Sequence, residues 1–180
     1  MNRLKAAIFK WELGGIVIIF LSGSVLHFVF DWLGGWPPAA LIAAVNESVW
    51  EHLKLAFWPG LIYGLIEFLF LKPKTKNFWV AKTCGLFTMP VIIAAVFYGY
   101  TALTGSHILW LDIALFGIAV VAGQMISLAL MVREPFGPKT RIALGVVLVL
   151  MIVAFSLFSY LPPRWPLFRD SSTGQYGILK

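Results

Sequence analysis

Charge is what this chain has least of. Only 12% of its 180 residues are Asp, Glu, Lys or Arg, while 60% are hydrophobic and the mean hydropathy is +0.88. A soluble domain carries roughly 25% charged residues, so a soluble fold is excluded and an integral membrane protein is expected. Cysteine is nearly absent too. With Cys84 alone, no internal disulfide, CxxC redox pair or thiolate zinc cage can form, and the residue reads as a small apolar group in a span. There is no HExxH or other specific metal motif, and no internal repeat. Acidic residues number 8 against 14 basic ones, a net charge of +6. The Lys and Arg residues sit at the ends of apolar runs rather than on one segment. Membrane topology produces that distribution, and nucleic acid is not an expected partner; the lipid bilayer is.

What the chain does have is long apolar runs. The pattern predicts an all-α, five-helix transmembrane bundle, with helices over about 13–33, 48–71, 78–103, 108–132 and 141–161. The first run exceeds a signal-peptide core and carries His27 and Asp31 near its far end, so it is read as a retained helix. Residues 39–45 are too short to span. They form a turn or two of helix at the interface, or run on into the second helix. Pro59 and Pro90 are expected to kink the second and third helices. The domain reading is a transmembrane unit over 1–161 and a polar, turn-rich tail over 162–180.

Basic residues set the expected orientation. Ten of them fall on the side of the amino terminus, including Lys72, Lys74, Lys76 and Lys82, the last snorkelling to that surface. Four fall on the other side: Lys54, Arg164, Arg169 and Lys180. The amino terminus is therefore expected in the cytoplasm and the carboxyl terminus outside, in a multi-pass protein of a bacterial inner membrane.

The densest group of ionisable side chains beside an apolar run is Asn46-Glu47-Ser48-Val49-Trp50-Glu51-His52-Leu53-Lys54. Such groups at a membrane boundary are costly unless solvated, paired or bound. Phe20, Ser24, His27 and Asp31 recur at helical spacing, so they share a stripe that points into the bundle. With the orientation fixed, His27, His52 and His107 fall on a single membrane face together with Asp31, Glu47, Glu51 and Asp112, a candidate site of three imidazoles and four carboxylates. The first two helices are antiparallel, and this stripe can face the Glu47–His52 turn. Two imidazoles with one or two carboxylates suit Zn²⁺, Mn²⁺ or Fe²⁺. In that scheme His27, Glu51 and His52 are the metal ligands, Glu47 or Asp31 is the general base or a supporting partner, and Asn46 is an orienting amide. The ion would activate water against an ester, amide or phosphoester. A plainer reading stands beside it. Ser48 to Glu51 matches a capping box, Asp112 favours the positive end of the fourth helix, His107 is a solvated turn residue, and Lys54 pairs with Glu51 or Glu47.

Glu67 is expected to pair locally with Lys72, Lys82 or water, and Gln124 to bond between helices. Trp11, Trp32, Trp36, Trp79, Trp110 and Trp165 fall near predicted helix ends, as an interfacial belt does. The tail, through Pro166-Leu167-Phe168-Arg169-Asp170 and Thr173-Gly174-Gln175-Tyr176-Gly177-Ile178, reads either as a lid folded over the outer vestibule or as a free end.

The Asn-Glu-Ser-Val-Trp-Glu-His-Leu-Lys motif, the His in the first helix and the Pro-Leu-Phe…Thr-Gly-Gln-Tyr-Gly-Ile tail together resemble an uncharacterised group of small bacterial multispan membrane proteins. The resemblance covers nearly the whole chain and implies no activity. Three functions follow from the residues: a metal-dependent hydrolase of a lipid or small amphipathic substrate, a permease or channel component, and a non-catalytic accessory subunit.

Overall fold

The computed structural model describes residues 3–71 and 75–178, so Lys72, Lys74 and Lys180 lie outside the described residues. The described residues form five α-helices: α1 (Arg3–Trp32), α2 (Val49–Leu71), α3 (Phe78–Thr104), α4 (Leu109–Met131) and α5 (Pro138–Leu157). Each is long and apolar enough to cross a membrane. Among the described residues there is no strand, only a single antiparallel bridge between Arg169 and Tyr176.

The helix ends follow local chemistry. α1 starts at Arg3, well before the expected Leu13, because residues 4–12 contain no Gly or Pro and several strong helix formers. α3 stops where Gly105 adopts a left-handed φ of 77° and its N–H bonds the Thr101 carbonyl. α5 opens on Pro138, where a missing N–H is harmless, and closes at Leu157 rather than Leu161. Both Pro59 and Pro90 lie inside unbroken helices. Residues Pro37–Leu41 form a separate 3-10 turn and do not run into α2.

Close helix approach depends on missing side chains. A Cβ on Gly85 would sit 2.6 Å from the Gly123 carbonyl oxygen, so α3 and α4 meet backbone to backbone. The outer faces are apolar. Val17, Ile18 and Leu21 on α1 and Ile142, Val146 and Leu150 on α5 are all exposed, far more greasy surface than a water-soluble monomer shows.

Inside, two ionic layers are separated by an apolar block that includes Phe57, Leu61, Leu86 and Met89. At the amino-terminal end Lys82 does not snorkel, contrary to expectation. It is 2% exposed, with its ammonium 2.8 Å from Glu12 Oε1 and 2.5 Å from Glu67 Oε2. Two carboxylates in the bundle interior outcompete the surface for it. Ser127 donates to Glu12 Oε1 at 2.7 Å and Gln124 Nε2 to the Glu12 carbonyl at 3.3 Å, the interhelical bond expected of that amide.

At the other end, here called the tail end, Lys54 is fully buried. Its ammonium donates to the carbonyls of Ala40 (2.6 Å) and Ala43 (2.8 Å), to Glu51 Oε2 (3.0 Å) and to Ser159 Oγ (2.7 Å). One side chain thus ties the 3-10 turn, α2 and the end of α5 together. The tail then returns across this end, with Phe168 buried and its ring 4.8 Å from Trp50 and 5.6 Å from Phe158.

Candidate functional site

The site begins with a glycine. A Cβ at Gly23 would lie 2.4 Å from the Leu55 carbonyl oxygen, so α1 can press against α2 at this level only without a side chain there. One turn further along α1 is His27, and one turn back along α2 is His52. The antiparallel register brings them together, with Nε2 atoms 3.2 Å apart. Glu47, in the segment just before α2, completes the group: its Oε1 is 3.7 Å from His27 Nε2 and its Oε2 is 3.4 Å from His52 Nε2. One ligand atom from each of the three residues falls within 4.8 Å of the others.

His52 and Glu47 are held in place from outside the group. His52 Nδ1 lies 2.8 Å from the Ser48 carbonyl. A carbonyl only accepts, so Nδ1 carries a proton; Nε2, which faces His27 and Glu47, donates to the Glu47 carboxylate when protonated and offers a lone pair to a cation when not. Glu47 is fixed through its backbone by the tail: its N–H donates to Asp170 Oδ2 at 2.7 Å, and its carbonyl accepts from Ser171 Oγ at 3.1 Å. The His27 and His52 imidazoles hold the Glu47 carboxyl far below the usual carboxylate range, against the opposing effect of partial burial. Burial pushes the Asp170 carboxyl up, but hydrogen bonds from Ser172, Thr173 and the Glu47 N–H outweigh it and hold it at about 2. Both acids are therefore anionic throughout the neutral range.

These groups stand at the rim of a cavity of about 560 Å³ between α1, α2, α3 and α4. Its deeper wall is apolar, built from Phe20, Leu55, Ile93, Phe97 and Phe116. His107 and Asp112 also line it. His107 Nδ1 is 3.2 Å from Asp112 Oδ2, and the Tyr100 hydroxyl donates to Asp112 Oδ1. That pair is a second imidazole with its own orienting carboxylate.

A family model described as "Family of unknown function (DUF6512)" matches residues 1–178. The chain belongs to the DUF6512 family. No curated protein and no solved structure matches it. In this DUF6512 chain the chemistry has to be read from the side chains themselves.

Of the residues singled out in the sequence, the fold gathers His27, His52 and Glu47. It sets Glu51 elsewhere: that carboxylate is 1% exposed and accepts from Lys54, from Ser159 Oγ at 2.6 Å and from the Val45 N–H at 3.2 Å. The Glu51 N–H lies 3.4 Å from Ser48 Oγ, half of a capping box, while its carboxylate serves the ion pair instead. Asn46 is spent on backbone, with Nδ2 donating to the Gly177 carbonyl at 2.8 Å and Oδ1 accepting from the Ser48 N–H at 2.9 Å. Asp31, one turn past His27, is exposed and stands outside the three-residue group and the cavity wall. Sequence reasoning grouped His107 and Asp112 with the other imidazoles and acids on one face, with a turn and a helix start as their plainer roles, and passed over Glu12. An acid inside a long apolar helix was the available signal for Glu12.

Proposed function

We propose that this chain is a small membrane-embedded hydrolase that holds a divalent cation, Zn²⁺ being the simplest fit, on His27, His52 and Glu47. The observation that carries the reading is the triangle of ligand atoms at the mouth of an apolar cavity. Metal–nitrogen bonds of about 2.0–2.1 Å in tetrahedral geometry put two ligand nitrogens about 3.3 Å apart. The two Nε2 atoms are 3.2 Å apart, and Glu47 oxygens lie 3.4 and 3.7 Å from them. Two imidazoles and a carboxylate leave a fourth position for water, the donor set of a catalytic rather than a closed structural site. In this scheme Glu47 takes the place that spacing alone gave to Glu51.

The reaction is hydrolysis of an ester in an amphipathic substrate. A cation held by His27, His52 and Glu47 would lower the pKa of a water beside it to about 7, and His107, whose ring Asp112 orients, would take that water's proton. Attack of that oxygen on the acyl carbon would break the carbon's bond to the alcohol oxygen, and His107 would return the proton to the departing alkoxide. Acid and alcohol are the products. Asp31 and Asn46 have no place in the step. The apolar block between the two ionic layers favours an enclosed site over a permease path.

We place the protein in a bacterial inner membrane, amino terminus in the cytoplasm, with the 1–161 unit in the bilayer and the 162–180 tail covering the outer rim. The test is ester hydrolysis by the reconstituted protein after chelation and Zn²⁺ return. Activity that disappears with chelator, returns with Zn²⁺ and is absent from His52→Ala supports the reading. Activity indifferent to chelator and to His52→Ala overturns it.

A further inference from the structure

The outer face of the bundle carries an open apolar groove of about 700 Å³ between α1 and α4. Phe20 and Ile113 line both this groove and the cavity that holds His27, Glu47 and His52, so the two spaces adjoin through a shared wall. Every residue lining the groove is apolar, and Val17, Leu21, Ile113 and Ile118 are at least half exposed. On α4 the groove runs from Ile113 to Ala122, which at 1.5 Å per residue is about 14 Å. That is about half of a ~30 Å hydrocarbon core, the depth of one leaflet. Its upper end adjoins the polar rim, where a lipid's headgroup linkage would lie. Phe20 rests over Gly117, where a Cβ would stand 3.4 Å from its ring, and beside the Phe116 ring, centroids 5.6 Å apart, so a single aromatic contact on α4 holds it over the shared wall.

We propose that the substrate is an acylated membrane lipid that comes sideways out of the bilayer between α1 and α4. Its acyl chain lies in the groove, Phe20 swings aside, and the ester reaches His27, Glu47 and His52. This rests on the hydrolase reading for the chemistry, but lipid occupancy of the groove stands apart from it. A water-borne amphiphile, by contrast, would reach the cavity from the tail end and leave the groove empty.

The experiment uses the full chain in phosphatidylcholine vesicles doped with phosphatidylcholine bearing a photoactivatable group in its acyl chain. Expected are cross-links at Val17, Ile118 or Val121, lost in Gly117→Leu and in Ala114→Leu, which fill the groove by different routes. Vesicle-lipid hydrolysis falls by about ten- to 200-fold in both variants, the range for a misfitted apolar contact, while a short-chain water-soluble ester turns over as before. Bound zinc, measured in the same preparations, stays at the wild-type level and shows that the variants fold. Cross-links confined to other faces, or undiminished by both variants, overturn the proposal. Equal loss on lipid and soluble ester at full zinc content does the same. Cross-links in the groove without hydrolysis of either ester by wild type uphold lateral lipid binding and sink the hydrolase reading instead.

Discussion

Replacing Lys54 by Met removes the most heavily used side chain in the molecule while keeping most of its volume. The ammonium serves four acceptors on three elements, and none of that contact is solvent-exposed. Its loss leaves the Glu51 carboxylate buried with only Ser159 and the Val45 N–H for company. Breaking a buried pair from one side costs about 3–5 kcal/mol, and each orphaned carbonyl, of Ala40 and Ala43, adds about 1–3 kcal/mol where water cannot reach it. Taken at their low ends these sum to about 5 kcal/mol, which is the expected destabilisation. The second change, Glu51→Gln, removes the stranded charge, so Lys54→Met/Glu51→Gln should be less destabilised than the two singles added together. Denaturation of the detergent-solubilised protein, followed by its tryptophan fluorescence, supplies the cycle. A Lys54→Met protein as stable as wild type, or strictly additive singles, would refute the idea that this ion pair fastens the tail end.

Other expectations follow from the same coordinates. Around Lys82 two carboxylates share one ammonium, and Glu12 also accepts from Ser127; an amide oxygen at position 67 can still accept from the ammonium, so Glu67→Gln should alter stability by less than ~1 kcal/mol while Lys82→Met costs about 3–5 kcal/mol, read in the same unfolding assay. Asp170→Asn should weaken zinc binding about 10- to 100-fold without removing a ligand, because it loosens the backbone of Glu47; competition against a chelator measures it. The Asp170 carboxyl is lowered from 3.8 to about 2, so its contribution to holding the tail is present above pH ~4 and is lost as pH falls toward ~2. Protease cleavage after Arg169 should accelerate over that window in wild type and show no such step in Asp170→Asn. Gly85→Leu, whose first carbon would already meet the Gly123 carbonyl at 2.6 Å, should prevent α3 and α4 from closing and abolish folded yield.

Much of this architecture is legible in the sequence, and the reasons are particular. Five long apolar runs set the helices, since nothing else in the chain can bury so much hydrocarbon. Helical period put His27 on the inward stripe, and antiparallel succession put His52 opposite. Glu47 and Glu51 could not be told apart, because they are four residues apart beside the same histidine. What separates them is Lys54 and Ser159, and Ser159 is 108 residues from Glu51. Sequence position makes Lys82 both a snorkelling residue and a partner for Glu67, and the two do pair; what spacing could not show is Glu12 on α1, which completes the buried group. Alternating helix direction put His107 and Asp112 on the same face as His27 and His52, with turn and cap chemistry as the plainer reading, and both line the cavity.

Metal content tests the centre of this picture most directly. Wild type, His27→Ala, His52→Ala, Glu47→Ala and Glu51→Gln should be purified without added metal, loaded with Zn²⁺, desalted and submitted to elemental analysis. Close to one zinc per chain is expected in wild type and in folded Glu51→Gln, with little in the other three. Equal, negligible metal in all five, or zinc that follows Glu51 rather than Glu47, would contradict it.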